Sequence, residues 1–107
     1  MIAVKSETKN TLFYQYQVEV FDFTFIVNIQ YNSRLGKRVI DVKLENGEVL
    51  LQPTVLTPYN LLFCTRADSL LGYEVLVWLE KLDDSKGDDF LNWSNNCVVC
   101  IGVRDRE

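Results

Sequence analysis

At 107 residues the chain is long enough for one domain with a single hydrophobic core and too short for two. Apolar residues make up 48% of it, which excludes compositional disorder, and no run approaches the roughly 18 apolar residues of a membrane span. With 11 Lys and Arg against 15 Asp and Glu the net charge is −4, and the one near-run of cations, Lys37, Arg38 and Lys43, has Asp41 and Glu45 interleaved with it. Composition therefore argues against a nucleic-acid surface, which needs concentrated cations to neutralise phosphates.

Residues 1–11 are polar and without periodicity, an N-terminal arm that either moves freely or docks on a neighbour. They include Lys5, Glu7 and Lys9 and lack the apolar core of a signal peptide, so a cytosolic site of synthesis is expected. A single β domain follows over 12–103, and 104–107 is a short charged tail. In FYQYQVEV, residues 13–20, Tyr14, Tyr16, Val18 and Val20 alternate with Gln15, Gln17 and Glu19, the period of a strand with one buried face. Phe21-Asp22 then forms a tight connection to a second strand, in which Phe23, Phe25, Val27, Ile29 and Tyr31 take every second position.

The bend at 32–37 carries Asn32, Ser33 and Gly36, which suit a reversal, and Ile40, Val42 and Leu44 alternate in the strand after it. Asn46-Gly47 tolerates the positive φ angles of a hairpin and predicts a partner strand at 49–51 in well-fixed register. Pro53 and Pro58 exclude a central strand, leaving 52–60 as a crossing loop or edge segment, after which Leu61, Leu62 and Phe63 are expected to return to the core. Residues 65–72 read as a loop.

YEVLVWLEKL, residues 73–82, matches both strand and helix spacing, and its β-branched and aromatic content decides for strand. An acidic linker at 83–89 and one helical turn within 88–96, presenting Phe90, Leu91 and Trp93, precede a last strand at 97–103. The fold class is mostly β: an antiparallel β-sandwich or small barrel of about six strands with at most one short helix.

No histidine is present, which removes the commonest general base and metal ligand together. Cys97 and Cys100 have the spacing of a redox or zinc half-motif, but residues three apart on a strand face opposite ways, so buried small residues is the better reading. A zinc site taking Cys64 as a third ligand stays open. Asp83, Asp84, Asp88 and Asp89 cluster around Lys86, which would repel a cation, and they read as a solvated loop. Without a phosphate loop or nucleophile elbow, neither catalysis nor a cofactor is expected.

The five Tyr, six Phe and two Trp either all fill the core or leave some rings as interface anchors. The candidates for an interface are Tyr59, Asn60, Leu61, Phe90 and Trp93: Tyr59 stands between Pro58 and Asn60, and Trp93 stands beside Asn92, Asn95 and Asn96.

Taken in order, Tyr31-Asn32-Ser33-Arg34, Ile40-Asp41-Val42, Asn46-Gly47, the loop from Pro53 to Pro58, and Leu61-Leu62 form a series. The chain thereby resembles the small baseplate plug proteins of contractile-tailed bacteriophages. The similarity extends to the strand and acidic segment at 79–89 and to a last strand at 97–101. It departs at Arg38-Val39, where that family tends to carry an aromatic residue, and at Thr57-Pro58-Tyr59-Asn60, which replaces a Gly-rich approach. The resemblance implies a non-catalytic virion component of the tail baseplate. It would associate with hub, spike and tube-initiator proteins in several copies under threefold or sixfold symmetry, without nucleic acid or membrane. The alternative from the residues alone is an OB-like module holding single-stranded nucleic acid on stacked aromatic rings.

Overall fold

Alternating side chains on a chain punctuated by Asn, Gly and Pro produce strands joined by short reversals. The computed structural model describes residues 2–64, 67, 71–87 and 92–105. Within them lie β1 (Ile2–Glu7), β2 (Phe13–Val20), β3 (Phe23–Asn32), β4 (Lys37–Leu44), β5 (Val49–Val55), β6 (Leu62–Phe63), β7 (Tyr73–Lys81), α1 (Trp93–Asn96) and β8 (Cys97–Asp105). Two four-stranded sheets form, in the orders β2-β3-β4-β5 and β1-β8-β7-β6, and the paired strands in each are antiparallel. The β-sandwich expectation holds, with eight strands among the described residues rather than about six.

The core lies between the sheets. Tyr14, Val18 and Val20 of β2, Phe25, Val27 and Ile29 of β3, and Ile40 and Val42 of β4 meet Val75, Val77 and Leu79 of β7 and Val99, Ile101 and Val103 of β8. Fully burying a side chain such as Phe25 contributes about 2–3 kcal/mol. The outer face of the first sheet is polar, with the Asn28 amide donating to Asp41 Oδ1 at 2.8 Å across paired positions.

The reversals follow the sequence with one difference. Asn32 Oδ1 accepts from the Arg34 and Leu35 amides at 3.0 and 3.2 Å, and Gly36 supplies the positive φ that lets β4 begin. At Asn46-Gly47 only Gly47 has a positive φ, and Leu44 N donates to Glu48 O at 2.8 Å, so the loop has the form of a turn followed by a left-handed residue. Phe21 adopts φ 55 in the β2–β3 turn, costly for a bulky side chain, and its ring stacks on Tyr73 of the other sheet at 5.1 Å.

Several expectations need correction. Of the two alternatives for the N-terminal arm, residues 2–7 take the docked one, but as a strand of the domain itself: β1 pairs with β8 from Ile2↔Val103 to Glu7↔Val98 and forms one edge of the second sheet. The charged tail is shorter than expected, because β8 runs through Arg104 to Asp105. β5 continues through Pro53 to Val55; it is the edge strand, and Pro53 is exposed where the missing amide removes no ladder bond. The β4–β5 register is not uniform, shifting between Ile40 and Val42 and again between Val42 and Lys43. YEVLVWLEKL is a strand as expected. The loop at 65–72 falls largely outside the described residues.

Candidate functional site

Residues 57–63 cross between the sheets and lie along the outer edge of β7. Pro58 forms a parallel bridge to Leu79, Tyr59 N donates to Leu79 O at 2.8 Å, and Leu62 and Phe63 pair with Val77 and Leu76. The alternation of a strand then decides which side chains face out. Leu62 packs against the core, while Leu61 and Phe63 are 49% and 53% exposed. This corrects the expectation that all three return to the core, since a two-residue edge strand buries only one face.

Tyr59 is 54% exposed with φ 61, and its hydroxyl donates to Asp84 Oδ1 at 2.7 Å, with the Lys81 carbonyl at 3.2 Å. The Asp84 carboxylate raises the Tyr59 pKa above its ordinary value, so the phenol stays protonated and bonded. Tyr59 thus ties one end of the exposed strip Tyr59, Asn60, Leu61 and Phe63 to the acidic loop at 83–87.

That loop is organised by Asn96, buried on α1. Its Oδ1 accepts from Asp83 N at 2.8 Å, and its Nδ2 faces the carbonyls of Asp83, Lys86 and Gly87 at 3.1, 3.3 and 3.0 Å. Asp83 in turn accepts from the Ser85 amide and hydroxyl, which hold its pKa below the ordinary value. Asn96→Ala should destabilise the chain by about 2 kcal/mol, because it removes every hydrogen bond that this buried side chain makes to the backbone of the loop. Denaturant titration measures the loss, and amide exchange at Asp83 should speed up.

Of the candidate interface residues, Tyr59, Asn60 and Leu61 come together on this edge; Phe90 lies outside the described residues. Trp93 does not belong to the surface. It is 1% exposed and enters the end of the sandwich, donating through Nε1 to the Tyr14 hydroxyl at 3.3 Å. The Arg38 guanidinium stands 5.0 Å from its ring and 5.3 Å from that of Tyr31, and donates to the Thr11 carbonyl. The Thr8 hydroxyl lies 2.9 Å from the carbonyls of both Trp93 and Cys97. The asparagines around Trp93 suggested solvent, but the Asn92 carbonyl accepts from the Asn96 amide at 2.8 Å and Asn96 serves the loop. Phe63 and Asn96 were missed; the apolar run Leu-Leu-Phe pointed inward, and nothing in the sequence sets Asn96 apart from Asn95.

Cys97 and Cys100 lie on opposite faces of β8, as their spacing requires: Cys97 joins the core, and Cys100 meets Glu80 Oε2 at 3.5 Å on the outer face. The same Glu80 accepts from the Trp78 indole at 2.7 Å and from Lys5 at 3.2 Å, and these contacts hold its pKa below the ordinary value. Among the described residues no group of three or more Cys, Asp or Glu is placed to hold a metal ion.

Burial pushes the thiols of Cys64 and Cys100 up to about 12. Because the folded state keeps these protons after the unfolded chain would release them, stability is whole below about pH 8.5, the ordinary thiol value, and falls as pH rises toward 12. A pH series of urea midpoints checks this, and a thiol reagent at pH 8 should label neither until the chain unfolds.

A hollow of about 450 Å³ opens beside the β3–β4 reversal, lined by Gln30, Tyr31, Asn32, Ser33, Arg34 and Val39. It brings together the cation Arg34 and the side-chain amides of Gln30 and Asn32. Compared with known protein families the chain matches none, and a comparison with curated proteins likewise finds no match.

Proposed function

We propose that the chain is a structural, non-catalytic component of a contractile phage tail baseplate, a small plug that binds the central hub, spike or tube-initiator proteins in the virion. The observation that carries this reading is the ordered series Tyr31-Asn32-Ser33-Arg34, Ile40-Asp41-Val42, Asn46-Gly47, Pro53 to Pro58 and Leu61-Leu62. Two geometric features support it. The first sheet pairs in unbroken register from β2 through β4, and the edge bearing Tyr59, Leu61 and Phe63 exposes aromatic and aliphatic side chains, with Asp84 bonded to the Tyr59 hydroxyl, a composition suited to a protein partner. The copy number then follows the threefold or sixfold symmetry of the baseplate.

Mass spectrometry of purified tails tests the reading. The chain should be present in fixed ratio to the hub protein, and its absence from intact tails overturns the proposal. A titration with single-stranded oligonucleotide at low salt should be flat; binding that weakens with salt would favour a nucleic-acid module instead.

A further inference from the structure

The sandwich has four sheet edges, and three of them carry devices that discourage strand addition. β5 has Pro53 and two register shifts, β6 is two residues long, and β1 carries Lys5. β2 has none of these. It is eight residues, pairs with β3 in unbroken register from Phe13↔Gln30 to Val20↔Phe23, and contains neither Pro, Gly nor Lys.

The direction of its open backbone groups follows from the ladder. Tyr31 N donates to Leu12 O at 2.8 Å, so position 12 belongs to a hydrogen-bonded pair with β3. Hydrogen-bonded pairs alternate in an antiparallel ladder, so Tyr14, Tyr16, Val18 and Val20 also turn their amides and carbonyls toward β3. Gln15, Gln17 and Glu19 turn theirs outward, and among the described residues no strand pairs with that edge.

We infer that β2 is a self-association edge, pairing antiparallel with β2 of a second copy about a twofold axis at Gln17 to join the two first sheets into one of eight strands. The side chains select a second copy and this register. Gln17 meets Gln17 of the other copy, amide to amide, and each Gln15 amide meets the Glu19 carboxylate of the other copy, donor to acceptor. No like charges stand opposite each other. Shifting the axis to Tyr16 would instead set Phe13 against Glu19. The Gln15, Gln17 and Glu19 positions together exchange about six backbone hydrogen bonds. The inference is independent of the baseplate proposal.

Sedimentation of the full chain over a concentration series tests it, with substitutions at Gln17 and Gln15. The wild type should dimerise. Gln17→Pro removes one outward amide at an edge position that tolerates proline, and should weaken association about tenfold or more while circular dichroism is unchanged. Should that variant fail to fold, Gln17→Lys, which sets two cations together at the axis, takes its place with the same expected loss. Gln17→Cys should form an intermolecular disulfide on oxidation, since a hydrogen-bonded pair holds Cα atoms about 5.5 Å apart, whereas Gln15→Cys should not. A monomeric wild type, a dimer indifferent to the Gln17 substitutions, or a dimer in which Gln17→Cys stays uncrosslinked overturns the inference.

Discussion

Trp93→Ala is expected to destabilise the chain by about 3–5 kcal/mol, a large part of the roughly 5–15 kcal/mol that holds a domain of this size. The ring fills the end of the sandwich, where it is 1% exposed beside Arg38 and Tyr14. Removing it leaves a cavity against a guanidinium, which cannot relax into apolar contact. Denaturant titration reads the loss directly. Tyr59→Ala is the control: its ring is 54% exposed, so the stability change should stay within about 1 kcal/mol. If the two substitutions had equal effects, the assignment of Trp93 to the core and Tyr59 to the surface would be wrong.

The second large effect is expected at Arg38, which is 2% exposed on the inward face of β4. Burial lowers its pKa from the ordinary value, yet a guanidinium remains charged at neutral pH. Its guanidinium carbon lies over the rings of both Tyr31 and Trp93, and it donates to the Thr11 carbonyl, tying the segment between β1 and β2 to the sandwich. Arg38→Ala should destabilise by about 3 kcal/mol, combining a desolvated cation–π contact with a charged hydrogen bond. Arg38→Lys keeps the charge and loses the flat surface, so its stability should fall between wild type and Arg38→Ala. Thermal melts of the three proteins order them.

Arg38 also marks where sequence reading reaches its limit. Its parity on β4 is that of Ile40 and Val42, so alternation alone puts it inside, but a cation at a core position reads as solvated until its aromatic partners are known. Trp93 is the converse case: its asparagine neighbours resemble a surface loop, and their hydrogen bonds to the backbone are visible only in three dimensions.

The β2-β3-β4 sheet was legible because every second residue within 14–20, 23–31 and 40–44 is apolar and the β3–β4 and β4–β5 reversals carry Asn and Gly at positions that need them. β1 was not, because an edge strand needs little apolar content: Ile2 and Val4 pair with Val103 and Ile101, and Ala3 and Lys5 are exposed. Pro53 gave the correct exclusion from a central strand but not the length of β5, since proline is compatible with an edge whose amide side is open. On the candidate site, Tyr59 and Leu61 stood out through the proline punctuation around them, whereas Phe63 required knowledge of the edge on which it lies.

The proposal that this sandwich works as a baseplate plug is tested most directly by deleting its coding sequence from the phage and imaging the particles that form. Tails should then be missing or left with incomplete baseplates, and expression of the chain in trans should restore them. Normal contractile tails assembled without the chain would contradict the proposal.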